Sequence, residues 1–287
     1  MTTPPLPYPQ GQISATGQVP SGGPHHPGYV SPVPQRRATL VDALASEWTK
    51  IRSVRSTIWS LGVMVVLILG VAVLVTLALS STDLPGNESS LSFGFVGVLL
   101  GIIPVITLGV MTIASEYGTG MIRTTLTACP SRARVLTAKA LVFFLLTFLI
   151  TLVATVLQSA LMAGVLGGTA TGGQWLRATV GVSVFVALLG LLSLAVGSLI
   201  RHSAGAITIM IGLVLLPLVM ALFMMSDALR DIQLFLLEYS IPSQLGVFYG
   251  AEMTDGGLTG WTPLASMGGL VAVVLGLAFA VQNKRDV

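Results

Sequence analysis

Of the chain's 287 residues, 53% are hydrophobic and only 9% charged. Soluble domains carry about 25% charged residues, so this composition excludes a soluble globular protein. A formal charge of +3 is too small to mark a nucleic-acid binder. The single cysteine, Cys129, excludes an intrachain disulfide and leaves no metal-ligand cluster.

Residues 1–38 hold nine of the 15 prolines, among Gly, Ser and the pair His25–His26. Such a segment cannot bury enough apolar surface to offset its chain entropy, so a disordered tail is expected. It lacks the apolar core behind a basic start that a signal peptide needs. The His pair could bind a metal, but metal sites usually need more ligands than two adjacent His, so an incidental pair is expected. Over 39–57 the pattern changes. Leu40, Ala43, Leu44, Trp48 and Ile51 recur at helical spacing, with Asp42, Glu47, Lys50, Arg52 and Arg55 on the rest of the circumference. Thr39 as N-cap with Asp42 three residues on forms a capping box. An amphipathic helix at the cytoplasmic interface is expected, with Trp48 as its headgroup anchor.

Six uncharged runs follow, at about 58–80, 91–114, 140–165, 178–199, 204–225 and 263–281, each long enough to cross a bilayer as a helix. The fold class is therefore an all-α integral membrane protein. Pro104 and Pro217 should kink the second and fifth spans. Gly97 and Gly101 form a GxxxG pair, a pattern that also makes helix-dimer faces. The connection 226–261 is more than a hydrophilic loop, since 232–239 and 241–249 are apolar blocks. Two short helices dipping into the outer membrane surface are expected there. With both termini inside, twelve Lys and Arg lie on the inner segments and two, Arg177 and Arg230, on the outer ones. This asymmetry assigns both termini to the cytoplasm.

The span interiors hold no Asp, Glu, Lys, Arg or His, which argues against proton coupling. No GxxxxGK[ST], HExxH or GxSxG pattern occurs, so neither a nucleotide site nor catalysis is expected of this chain. Gln158 is the one strongly polar side chain within a span. It reads as a helix–helix hydrogen bond or as a contact on a substrate path, and with Pro104 it makes up the candidate path residues.

The densest polar stretch is 115–139, SEYGTGMIRTTLTACPSRARVLTAK, with four of the 14 basic residues. Thr119 is expected to cap a short helix presenting Met121, Ile122, Thr125 and Leu126 on one face and Arg123 elsewhere. Cys129–Pro130 ends it, and Ser131 caps a helix running through Arg132, Arg134 and Lys139 into the third span. Glu116, where the second span meets the cytoplasm, is either solvated or paired with a base such as Arg123 or a partner's residue.

This pattern (Glu116, Gly118–Thr119, Arg123, Pro130, Arg132, Arg134, Lys139) resembles the first cytoplasmic loop of ABC type-2 exporter permeases. The preceding amphipathic helix, six spans and apolar outer connection are similar to that family over about 39–287. The resemblance implies a coupling helix that docks on a separate cytosolic ATPase, carried by Glu116, Gly118, Thr119, Met121, Ile122, Arg123, Leu126, Pro130, Arg132 and Arg134. It departs at Tyr117, where many relatives have a second acid beside Glu116. It further implies a homodimer or a pairing with a similar permease, contact with membrane lipid, a bacterial plasma membrane, and ATP and Mg bound by the ATPase. An amphipathic, drug-like or lipid-like cargo fits the apolar spans. A non-transporting scaffold, or an immunity or assembly factor that binds a partner through the basic loop, is the alternative.

Overall fold

The computed structural model describes residues 38–80, 89–167, 170–224, 226–252 and 256–284. The expected tail, except Ala38, and the 81–88 part of the first outer loop lie outside the described residues. So do Met225, at the end of the expected fifth span, and the basic residue Arg285. Among the described residues the secondary structure is helical throughout, without strands.

Helix α1 (Leu40–Ser53) starts at the Thr39–Asp42 capping box and carries its acid early and Lys50 and Arg52 late, in keeping with the helix dipole. After Val54 the chain turns into α2 (Arg55–Leu79), the first apolar helix long enough to cross a membrane. A 3₁₀ turn (Ser90–Gly94) leads into α3 (Phe95–Gly118), which continues through Pro104. The short α4 (Met121–Ala128) precedes α5 (Arg132–Leu166), whose N-cap Ser131 accepts from the Arg134 N–H. At 1.5 Å per residue, the 35 residues of α5 extend about 52 Å, well beyond a hydrocarbon core of about 30 Å. Its first turns therefore project from the apolar layer.

Helix α6 (Gly172–Leu176) runs through a π turn (Arg177–Gly181) into α7 (Val182–Ile200). Arg201 and His202 link α7 to α8 (Ser203–Phe223), which contains Pro217. The 226–261 connection folds into a 3₁₀ turn (Asp227–Leu229), α9 (Arg230–Tyr239) and α10 (Ile241–Val247), and α11 (Thr262–Lys284) completes the set. Six helices have the length and hydropathy to span a membrane. The two apolar blocks are α9 and α10: no residue of α9 is buried, whereas every residue of α10 is.

Helix α7 is the axis of the bundle, packing against α3, α5, α8 and α11. Small residues permit the α3–α7 approach. A Cβ on Gly109 would run into the Gly190 carbonyl, and one on Gly197 would sit 3.1 Å from the Val110 carbonyl oxygen. Phe143, Phe185, Leu189, Ile102 and Ile106 fill the core around this crossing. Gly97 and Gly101 press on Ile68 of α2, with 2.9 Å from each would-be Cβ to its nearest Ile68 atom. The GxxxG pair therefore serves a contact within the chain and is not a free dimer face.

Candidate functional site

Four charged side chains meet at the end of the bundle where α1, the end of α3 and the start of α5 come together. Lys139 of α5 donates to Glu47 Oε2 at 2.7 Å and to Glu116 Oε1 at 2.9 Å. Lys50 of α1 donates to Glu47 Oε1 at 2.8 Å and to Glu116 Oε1 at 3.0 Å. Two acids and two bases thus close a ring of zero net charge. Lys139, Glu47 and Glu116 are buried, and only Lys50 keeps a partly exposed side chain. Ionised groups this deep are tolerable only because each has opposite charges in hydrogen-bond contact. Burial pushes the Glu47 carboxyl upward, but the Lys139 ammonium and then Lys50 outweigh it and hold the group below its ordinary value. Burial likewise lowers the Lys50 ammonium, and Glu47 and Glu116 more than restore it, leaving it raised.

The ring corrects the expected face of α1. Its buried stripe is Ala43, Glu47 and Ile51 at i, i+4 and i+8, while Trp48 points outward. Glu47 sits among the inward residues because Lys139, on another helix, neutralises it. Glu116 pairs with Lys50 and Lys139, neither of which is Arg123, and its buried Oε2 has no hydrogen-bond partner among the described residues. Glu47 and Lys50 were missed as site residues. The available signal was an acid and a base three residues apart, with the acid on an otherwise small and apolar stripe.

Helix α4 hangs between α3 and α5 beside this ring. Its N-cap is Gly120, in the left-handed region at φ 73°, and no side chain caps it. Thr119, expected to be that cap, instead ends α3 by donating from Oγ1 to the Ser115 carbonyl at 2.8 Å. Its neighbour Gly118 is the last residue of α3. Only Ile122 of α4 is buried. Met121, Arg123 and Thr124 are exposed, and Thr125 and Leu126 are half-buried, so Met121 does not share the inward face with Ile122. Lys50 Nζ reaches Thr125 Oγ1 at 3.4 Å, joining α4 to the ring through α1. A groove of about 330 Å³ runs between α1 and α4, walled by Asp42, Glu47, Lys50, Thr124 and Cys129.

The other expected site residues divide by role. Arg132 donates to the Gln282 carbonyl at 2.6 Å, tying α5 to the end of α11. Arg134 donates to the Ala38 carbonyl at 2.7 Å, tying α5 to the entry of α1. Both brace the base of the bundle, as does Arg201, stacked 4.8 Å over the Tyr117 ring. Pro130 is exposed in the extended turn between α4 and α5. Pro104 lies half-buried in α3, apart from the ring. Gln158 is buried in α5, and neither atom of its amide has a hydrogen-bond partner among the described residues, so the helix–helix hydrogen bond is not made. It abuts Gly94, which also faces the edge of the Tyr249 ring, whose hydroxyl likewise has no hydrogen-bond partner among the described residues.

Six long apolar helices around a buried core, with a charged ring and a short exposed helix at one end, define a multi-pass membrane protein. The profile of the family described as ABC-2 family transporter protein matches residues 43–225. The chain belongs to this family and is a transmembrane transporter component of permease type. The matched segment includes Glu47, Lys50, all of α4 and Lys139. No curated protein matches the chain.

Proposed function

We propose that the chain is the membrane-spanning subunit of an ATP-driven exporter. It couples hydrolysis by a separate cytosolic ABC ATPase to export of an amphipathic, drug-like or lipid-like substrate. The working unit is a pair of such subunits, identical or similar, bound to two ATPase copies in a bacterial plasma membrane and surrounded by lipid. ATP and Mg belong to the ATPase.

The observation that carries this reading is the mounting of α4. It is a short, largely exposed helix, set by Gly120 at one end and Pro130 at the other, and joined to the Glu47–Lys50–Glu116–Lys139 ring through Thr125. A displacement of α4 acts on α3 and α5 directly through its two turns and on α1 through Lys50. The ring makes α1, α3 and α5 respond as one body, because separating any of them would strand a buried charge. Exposed Arg123, Met121 and Thr124, with the α1–α4 groove, supply the docking surface.

The test is a mild-detergent pull-down of the tagged protein, wild type beside Arg123→Glu, scored for a co-purifying ATPase and its hydrolysis. Retention by wild type and loss in the variant is the expected result. Absence of any ATPase from wild type, together with transport that proceeds without ATP, would overturn the reading.

A further inference from the structure

At the far end of the bundle from the charged ring, a groove of about 270 Å³ opens between α8, α10 and α11. Its depth follows from helix rise. Pro217 lies 14 residues past Ser203, at the start of α8, which is about 21 Å along the axis. Ser266 and Leu270 are one and two turns inside α11 from Thr262. The groove therefore sits below the helix ends, within the two apolar helices. Leu213, Pro217, Met267 and Leu270 line its apolar side. Most of α8 and α11 is exposed in the single chain, so the groove opens on its outer surface.

Polar groups at this depth are costly unless paired, and here they are gathered on one wall. Ser266 Oγ donates to Gln244 Oε1 at 2.8 Å, and Gln244 Nε2 donates to the Tyr239 carbonyl at 3.0 Å. A primary amide carries two N–H donors and a hydroxyl two acceptor lone pairs, so capacity remains on both Gln244 and Ser266. Pro217 has no N–H to give to the carbonyl of Leu213, which also lines the groove. A plain acyl chain can answer none of these groups. Among the described residues no charged side chain lines the groove either, so a phosphate would be desolvated without a counter-ion.

We propose that this groove binds a neutral membrane amphiphile through its hydroxyl group, which donates to the Leu213 carbonyl or Ser266 and accepts from the Gln244 amide. Its chain lies along Met267 and Leu270. At about 270 Å³ the site falls just under the usual ligand-pocket range of roughly 300–1,000 Å³, enough for the polar end and the first part of a chain. The site stands whether or not this amphiphile is the exported cargo.

The test uses the full-length chain in phosphatidylcholine vesicles and two photoreactive probes of equal length, a diazirine-bearing hexadecanol and the matching hexadecane. Cross-links are mapped by peptide mass spectrometry. The alcohol is expected to label residues of α8, α10 and α11 about fivefold more than the hydrocarbon, the factor given by one hydrogen bond of about 1 kcal/mol. Gln244→Leu combined with Ser266→Ala should bring the alcohol down to the hydrocarbon level. Leu270→Trp, at a partly exposed position on the groove wall, should block both probes at these helices. Equal labelling by the two probes, or alcohol labelling indifferent to the Gln244 and Ser266 changes, would overturn the proposal, as would stronger competition by phosphatidylglycerol than by unlabelled hexadecanol.

Discussion

Lys139 is shared by two buried carboxylates, and this decides what its removal costs. In Lys139→Met, Glu47 loses its 2.7 Å partner and Glu116 its 2.9 Å partner, while both remain buried. Breaking a buried pair from one side costs about 3–5 kcal/mol, and a loss of this order is expected in chemical or thermal unfolding of the purified protein. Lys50→Met removes the same number of ion pairs but from a partly solvated ammonium. Its cost should be nearer 1 kcal/mol, as for exposed pairs. Equal losses in the two variants would mean that burial does not set the strength of the ring.

The ring also predicts a pH window for the seating of α1. The Glu47 pKa is lowered, burial being outweighed by Lys139 and then Lys50. Its contribution is therefore present above the unfolded carboxylate value of about 4.3 and is lost as pH falls through the lowered one. The Lys50 pKa is raised, burial being outweighed by Glu47 and then Glu116. Its contribution is complete below about 10.4 and is lost as pH rises through the raised value. Amide exchange over residues 40–53, corrected for intrinsic rates, should show constant protection from about pH 5 to 10 and a fall on the acid side below that range. A fall centred on pH 6–7 would point to a group other than Glu47 or Lys50.

At the scale of elements, the turn between α3 and α4 isolates the effect of α4. Gly120 has φ 73°, and a Cβ there would meet nothing within 4 Å. Gly120→Ala therefore adds backbone strain without a Cβ clash, about 1–2 kcal/mol for a side-chain-bearing residue in the left-handed region. The strain falls on a helix with one buried residue, so global unfolding should move little while ATPase affinity drops roughly tenfold. A matching loss of overall stability would show that α4 is an ordinary part of the core.

Helix boundaries were legible where a local rule sets them. The Thr39–Asp42 box, the Ser131 cap and the Cys129–Pro130 stop each act over three or four residues, and all three occur. The end of α3 shows where locality fails. Thr119 has the chemistry of an N-cap, but its hydroxyl bonds back to Ser115 and leaves the cap to Gly120. Glu47 failed for a longer-range reason. On its own helix it shares a stripe with Ala43 and Ile51, and Lys50 alone does not offset its burial; Lys139, 92 positions away, completes the pairing. The six apolar runs were legible because bilayer thickness imposes a length that composition alone reveals. Their packing, with α7 at the centre and Gly109, Gly190 and Gly197 at the crossing, depends on pairings that no single run encodes.

For the whole molecule, sidedness decides whether α4 can meet a cytosolic motor at all. The basic residues of α1, α4, the start of α5, Arg201 and Lys284 lie at the ring end, and Arg230 with α9 lies on the opposite connection. Basic segments are retained on the cytoplasmic side, so the ring end should face the cytoplasm. Cys129 is the only native thiol and is buried, which gives a low labelling background. In intact cells a membrane-impermeant maleimide should label Ser226→Cys, exposed on the 226–261 connection, and should reach the exposed Thr124→Cys of α4 only after permeabilisation. The reverse pattern would place α4 outside, beyond reach of any nucleotide-driven partner, and the charged ring would then brace the bundle without transmitting work. The expected pattern leaves α4 as the exposed helix that a cytosolic partner can move, with α1, α3 and α5 held together behind it.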